Sequence, residues 1–168
     1  MFSQTMLDAL NDQINTELRS AYAYLGMSSY CEQEHFRGCA RWLRLQSQEE
    51  LMHAMKLFDF LRDRGGKIVL KMLPEAPVDY KSLQAVFETA LQQEIAVSEK
   101  INALYELAFK EKAFAAAAQL EWFLTEQIEE EKTARDIVAK FQLIQGDPAS
   151  LLDLDRELGA RGPGEEED

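Results

Sequence analysis

Residues 48–53 read QEELMH, and the fold is decided by this stretch. Glu50 and His53 form a Glu-x-x-His pair, so on a helix their side chains lie on one face, one turn apart. The apolar stripe of this helix runs through the pair and reads Leu43, Gln46, Glu50, His53, Leu57 and Phe60. A carboxylate and an imidazole therefore face the predicted core. Burial of an unpaired charge is costly, so such groups need a metal ion, a partner or a proton.

The spacing of apolar residues predicts four long helices and one short one. We expect α1 from about Thr5 to Cys31, α2 from about Cys39 to Arg64, α3 from about Ser82 to Lys110, α4 from about Phe114 to Gln145, and α5 from Ala149 to Leu158. Gly65 and Gly66 stop α2, Ser82 is an N-cap, and Asp147 with Pro148 opens α5. The fold class is therefore all-α, a bundle of four long helices with a short fifth helix.

Two connections set the predicted topology. Residues 32–38 form a short polar loop, so α1 and α2 should be antiparallel neighbours. Residues 67–81 include Pro74 and Pro77 and are too irregular for a helix. Fifteen extended residues can travel the length of a bundle, which predicts a long crossover and parallel α2 and α3.

Each of the other long helices repeats the anomaly of α2. The polar residues in the middle of their apolar stripes are Glu17 in α1, Glu94 in α3, and Gln127 with Glu130 in α4. One such glutamate is commonly a misassigned face or a partly hydrated charge. Four near the helix midpoints favour a dinuclear metal centre, since bundles of this kind hold two metal ions between facing carboxylates. Oxygen ligands with one imidazole favour iron or manganese over a structural zinc.

Further polar residues flank this set. Glu49, Glu126, Glu129 and Glu130 form either a solvated acidic face or an additional cation site. Tyr24 lies two turns from Glu17 on the same face. It is either a core tyrosine or a residue that passes an electron or hydrogen-bonds a ligand.

Composition supports a single helical domain. The chain has 168 residues, 46% of them hydrophobic, with only 8 Gly and 4 Pro. We expect residues 1–160 to form the bundle with its fifth helix, and residues 161–168 to form an acidic, disordered tail. The net charge of −12 argues against nucleic acid as a partner and favours attraction of cations.

The sequence also predicts that the protein is cytoplasmic. Its start lacks a signal-peptide pattern, and no apolar stretch is long enough to span a membrane. Cys31 and Cys39 match neither a C-x-x-C motif nor a zinc-finger spacing, so we expect reduced thiols.

The chain resembles the bacterial non-haem ferritins from α1 through α5, which implies a ferritin-like four-helix bundle with one long crossover and a short fifth helix. The resemblance rests on residues in the order and spacing of that family: Glu17, Tyr24, Glu49-Glu50-x-x-His53, Glu94 and Trp122-x-x-x-Glu126-Gln127-x-x-Glu130. It implies a ferroxidase that binds Fe(II) and oxidises it with O2 or H2O2. The ferric oxide-hydroxide would be stored in a homo-oligomeric shell of twenty-four subunits.

The resemblance also implies roles for individual residues. Glu17, Glu50 and His53 would hold one iron, and Glu50 would bridge to a second iron held by Glu94 and Glu130, with Gln127 close by. Glu49, Glu126, Glu129 and Glu130 would form a third, weaker iron site. Tyr24 would supply an electron during oxygen reduction.

Related families and other functions fit less well. No haem is expected, because Leu51 stands where bacterioferritins carry the haem-ligating methionine. Mini-ferritins that coat DNA usually carry basic extensions, whereas the C-terminal segment of this chain is acidic. Rubrerythrins add a module with two C-x-x-C pairs, a motif that this sequence does not contain. Two alternatives stay open: a di-iron redox enzyme of peroxidase or oxidase type that stores nothing, and a structural bundle with salt-bridged carboxylates.

Overall fold

The computed structural model describes residues 2–162, which form five α-helices. These are α1 (Gln4–Gln33), α2 (Arg37–Asp63), α3 (Leu83–Lys110), α4 (Phe114–Ile144) and α5 (Pro148–Gly159). No strand occurs in this part of the chain, so the predicted all-α class is confirmed. None of the five helices combines the length and apolar character that crossing a bilayer requires.

Hydrogen bonds between α1 and its neighbours set the helix directions. They pair Ser28 with Ala40 and Ala21 with Ser47 of α2, and Tyr24 with Glu94 and Thr16 with Lys100 of α3. In both sets the residue number rises on one helix as it falls on the other. α1 is therefore antiparallel to both α2 and α3. The last two are consequently parallel, as predicted, and the non-helical residues 64–82 connect opposite ends of the bundle.

Two asparagines of α1 hold this crossover against the bundle. Asn11 donates to the Lys67 carbonyl at 2.9 Å and accepts from the Val69 amide at 2.7 Å. Asn15 repeats the pattern with the Val69 carbonyl and the Lys71 amide, both at 2.7 Å. Four residues of helix rise about 6 Å, and two residues of extended chain span about 6.6 Å. The two side chains can therefore pair with the crossover much as a neighbouring strand would.

The residues predicted to begin or end helices do so in the structure. The hydroxyl of Ser82 accepts from the amide of Ala85 at 3.1 Å, and the carboxylate of Asp147 accepts from the amide of Ser150 at 2.9 Å. Pro148 occupies the first turn of α5. Gly65, just beyond the end of α2, has a φ of 72°, which glycine adopts without steric cost.

The connection between α1 and α2 is shorter than predicted. It covers residues 34–36, with His35 at a φ of 65°, and Gly38 lies inside α2 rather than in a loop. Gly38 is the point at which α5 crosses α2. A Cβ on Gly38 would lie 1.7 Å from the carbonyl oxygen of Asp155, and one on Gly159 would lie 2.9 Å from Gly38 Cα. Glycine at position 38 therefore permits a close helix crossing and does not end a helix.

The predicted tail is described only at its beginning. Arg161 and Gly162 belong to the described chain, whereas residues 163–168 lie outside it. The side chain of Arg161 is 8% exposed and pairs with Glu49. At residue 161 the chain is therefore packed against α2.

The buried apolar residues form two clusters, one on each side of the helix midpoints. The first contains Tyr24, Trp42 and Phe87 and extends to Leu154 and Leu158 of α5. The second reads Met6, Leu10, Ile14, Leu57, Leu61, Val97, Ile101, Leu104, Ala108, Ala116, Ala117, Leu120 and Phe123. The predicted stripes are buried along most of their length. At their ends Leu7, Phe60 and Tyr105 are only partly buried, because a helix of 3.6 residues per turn drifts from a 3.5-residue stripe.

We expect Asn15→Ala to release the Lys71 amide and leave the Val69 amide protected by Asn11. Asn11→Ala should do the reverse for Val69. Each lost hydrogen bond should raise the exchange of its own amide about tenfold, the equivalent of about 1.4 kcal/mol. Residue-resolved hydrogen exchange measures both amides in each variant. Equal release of both amides in both variants would contradict the paired arrangement.

Candidate metal centre

A layer of polar side chains separates the two apolar clusters. Its members are Glu17, Glu50, His53, Glu94, Gln127 and Glu130, and all six are buried. Each sits in the middle of a long helix whose flanking turns pack into apolar clusters, so the backbone fixes the level of each side chain. All six were predicted in mid-stripe from the sequence. Their burial is what the stripes predicted.

Two groups of ligand atoms come together in this layer. Glu17, Glu50 and His53 place one ligand atom each within 4.8 Å of one another. His53, Glu126 and Glu130 do the same. His53 belongs to both groups: its Nδ1 lies 3.6 Å from Glu50 Oε2, and its Nε2 lies 3.8 Å from Glu126 Oε1. Distances of this size leave room for a cation among carboxylate and imidazole ligands.

Glu50 is the least satisfied member of the layer. Both of its carboxylate oxygens are buried without a hydrogen-bond partner among the described residues, and so is Oε2 of Glu17. Burial raises the pKa of Glu50 well above its usual value, and the nearby charges of Glu94, Glu17 and Glu130 raise it further. Burial likewise raises the pKa of Glu17 to about 7, against a hydrogen bond from Gln13 that lowers it. The charge of Lys100 lowers the pKa of Glu17, but it does not offset the effect of burial.

His53 is a neutral imidazole at neutral pH. Burial lowers its pKa to about 4, and the positive charge of Lys56 lowers it further. Its ring packs edge-on against Trp122, with the ring centres 5.3 Å apart. A neutral imidazole with a fixed ring plane keeps a nitrogen lone pair for a metal ion.

Glu94 reaches the layer from α3 and is held by two neighbours. The hydroxyl of Tyr24 donates to Glu94 Oε1. The amide nitrogen of Gln127 lies 3.3 Å from Glu94 Oε2 and 3.2 Å from the hydroxyl of Ser98. Burial raises the pKa of Glu94, whereas these two hydrogen bonds lower it. Burial also raises the pKa of Tyr24 well above its usual value, so Tyr24 stays a protonated donor to Glu94.

The flanking acidic residues occupy different positions. A cavity of about 230 Å³ is lined by Glu49, Met52, His53, Lys56, Trp122, Glu126, Glu130 and Arg161. Glu49 and Glu126 are half-buried at this cavity. Glu129 is exposed and is not part of the lining. The structure thus brings three of the four predicted flanking glutamates together.

Sequence reasoning assigned no role to Gln46, Gln13 and Arg161. Gln46 donates to Glu130 Oε2 at 2.7 Å, and Gln13 donates to Glu17 Oε1 at 2.7 Å. The sequence did offer a sign of the role of Gln46, because it is a polar residue inside an apolar stripe. Gln13 lies one turn before Glu17, a weaker signal. Arg161 had none, since it belongs to a Gly- and acid-rich terminal segment.

The comparisons with known proteins agree with this geometry. A family model for the ferritin-like domain matches residues 7–144. The chain is 37% identical over 159 residues to a probable bacterial non-heme ferritin-like protein from Haemophilus influenzae, covering 95% of this chain and 96% of that protein. It is also 37% identical over 166 residues to a bacterial non-heme ferritin from Staphylococcus haemolyticus, covering 99% and 100%.

Solved structures extend the likeness to three dimensions. An open pore ferritin from the hyperthermophilic archaeon Archaeoglobus fulgidus has a TM-score of 0.95 and 46% sequence identity to this chain. The match covers 96% of this chain and 99% of that one. With the family model and the sequence relatives, it shows that this chain belongs to the ferritin family.

Proposed function

We propose that this chain stores iron, oxidising Fe(II) within the bundle and holding the ferric product inside a shell built from its own copies. The observation that carries the proposal is the buried carboxylate layer, above all Glu50, whose two oxygens have no hydrogen-bond partner among the described residues. Cations would replace the protons that these carboxyls otherwise need. Iron is here the substrate and the cargo of the protein.

The first Fe(II) is bound by Glu17, Glu50 and His53. Glu50 bridges to a second Fe(II), which Glu94 and Glu130 hold on the other side, with Gln127 close by. The first set is supported by its ligand atoms, which lie within 4.8 Å of one another. The second is supported by the charges of Glu94 and Glu130, both of which raise the pKa of Glu50.

Oxidation removes one electron from each Fe(II), and the two electrons reduce O2 to H2O2, or H2O2 to water, with uptake of two protons. The carboxylates favour Fe(III), because the higher charge interacts more strongly with anionic ligands. Full reduction of O2 to two water molecules takes four electrons and four protons; the two irons, a third Fe(II) and Tyr24 would supply one electron each, and the hydrogen bond of Tyr24 to Glu94 supports its part. Ferric product then hydrolyses and moves to the store.

A third iron ion binds more weakly at Glu49, Glu126, Glu129 and Glu130. This assignment is supported by the 230 Å³ cavity between the first two of these residues and Glu130. Glu129 would have to turn toward the cavity, since its side chain is exposed.

We expect a shell of twenty-four copies in the cytoplasm. The family membership supports an oligomeric shell in general. Cys31 and Cys39 are buried free thiols, which suits a reducing compartment.

Glu50→Ala should slow Fe(II) oxidation by about a hundredfold or more, because the variant loses the ligand that both irons share. Glu129→Ala should keep the fast phase and change only later phases. Stopped-flow absorbance at two Fe(II) per chain measures both. Equal, mild defects in the two variants would contradict the role of Glu50 as the bridge.

The pH dependence of stability tests whether burial of Glu17 outweighs the nearby charge of Lys100. Glu17 has a pKa of about 7 in the folded chain against 4.5 for the free group, so its ionisation destabilises the fold. This cost is absent below pH 4.5 and complete above pH 7. Metal-free Glu17→Gln should therefore gain stability relative to the unmodified chain as the pH rises from 4.5 to 8, by roughly 3 kcal/mol.

Denaturant unfolding of the metal-free proteins measures this difference, with the exposed Glu121→Gln as control. Glu121→Gln should show little change with pH in its difference from the unmodified chain. Saturating Zn(II) should reverse the order, since only the unmodified chain then has its full ligand set. A pH-independent difference for Glu17→Gln would contradict the burial of an uncompensated charge.

Iron retention separates storage from a redox enzyme that releases its product. Metal-free protein is loaded in air with a large excess of Fe(II), fractionated by size, and assayed for iron per chain. We expect a large assembly that holds far more iron than its side chains can ligate. A few irons per chain on a small oligomer would favour the non-storing di-iron enzyme.

A further inference from the structure

The guanidinium of Arg161 sits on the acidic cavity beside the candidate metal centre. It donates to both carboxylate oxygens of Glu49, at 2.9 Å and 2.8 Å. The side chains of this pair are 8% and 14% exposed. Both contacts come from one nitrogen, Nη2. A charge-assisted contact is strong when it is shielded from water, so Glu49 is already held by a cation that belongs to the protein.

Arg161 also controls the orientation of Gln46. Its guanidinium donates to Gln46 Oε1, which turns the amide nitrogen of Gln46 toward Glu130, 2.7 Å away. Glu130 in turn shares a candidate metal-binding group with His53 and Glu126. One arginine thus contacts Glu49 directly and Glu130 through a single amide.

The geometry points to competition between Arg161 and a metal ion. Glu49 belongs to neither group of ligand atoms that lie within 4.8 Å of one another, and its two oxygens accept from Arg161 instead. A cation in the cavity would need those oxygens and would be repelled by the guanidinium charge. Both effects weaken cation binding at Glu49 while Arg161 stays in place.

We propose that Arg161 is an internal cation that holds the third iron position in the metal-free chain, so that iron binds to Glu49 only when it displaces Arg161. This role depends on the function proposed above, in which Glu49, Glu126 and Glu130 contribute to a third site. Arg161 is here a positioning residue that tunes affinity. It lies two residues beyond α5, so its release requires a change only at the end of the described chain.

Trp42 supplies a direct signal for this displacement. The guanidinium of Arg161 lies over the Trp42 ring, 5.1 Å from its centre, and Trp42 itself is 1% exposed. The chain contains two tryptophans. Trp122→Phe removes the other one and keeps an aromatic ring against His53, so the emission of Trp42 then reports the position of Arg161.

The first test titrates metal-free chains with Zn(II), which takes the same ligands without redox chemistry, and measures the dissociation constant of each ion by calorimetry. Arg161→Gln should leave the ion at Glu17, Glu50 and His53 unchanged and tighten the third ion by about tenfold or more. Arg161→Lys should give a third-ion affinity between those of the unmodified chain and Arg161→Gln, because lysine keeps the charge and loses the planar group that contacts Glu49 and Gln46 together.

Lys56→Gln is the matched control. This variant removes the same charge from the same cavity. In the unmodified chain, however, the ammonium group of Lys56 lies over the Trp122 ring, 3.7 Å from its centre. If the third Zn(II) binds more tightly by the same factor in Lys56→Gln and Arg161→Gln, net charge alone explains the effect and the proposal is overturned. A third ion that is unchanged or weaker in Arg161→Gln would overturn it as well, even if that variant loses stability.

The second test needs no change at Arg161. In Trp122→Phe, the third Zn(II) equivalent should shift Trp42 emission and the first two should not. Absence of a shift at the third equivalent overturns the proposal. Failure of the unmodified chain to bind two tight ions would contradict the proposed function itself, whereas two tight ions with no effect of Arg161 would contradict only the role of Arg161.

Discussion

The central constraint on this structure is the burial of four carboxyls in the middle of the bundle. Burial raises the pKa values of Glu17, Glu50, Glu94 and Glu130, and the charges of neighbouring members raise those of Glu17, Glu50 and Glu130 further. Without cations the layer must keep protons, and with cations it can ionise fully. In the metal-free chain the apolar clusters on either side must therefore offset the cost of burying these carboxyls.

The crossover matters because it decides which helices face each other. Its asparagine contacts to α1 keep an extended chain along the bundle, and this leaves α2 and α3 parallel. A short turn there would have made them antiparallel neighbours and changed which ligands meet. The positions of Asn11 and Asn15, one helical turn apart, match the two-residue repeat of the crossover.

The sequence predicted the layer well because helical periodicity reports which side of a helix is buried. Glu17, Glu50, His53, Glu94, Gln127 and Glu130 could be placed at one level from their midpoints alone. It could not distinguish Glu126 from Glu129 at the rim, where side-chain direction depends on neighbouring helices. Nor could it predict Arg161, whose position follows from the crossing of α5 at Gly38, a contact between residues far apart in the chain.

The amide and hydroxyl partners of the layer are unevenly distributed, and this unevenness separates the roles of the carboxyls. Gln13 holds Glu17, Gln46 holds Glu130, and Tyr24 with Gln127 holds Glu94. Glu17 and Glu130 each have one oxygen held by an amide, and Glu94 has both oxygens held, Oε1 by Tyr24 and Oε2 by Gln127. Glu50 has no such hydrogen bond within the described chain. A carboxylate that must serve two cations at once needs both oxygens available, and Glu50 alone among the four meets that condition.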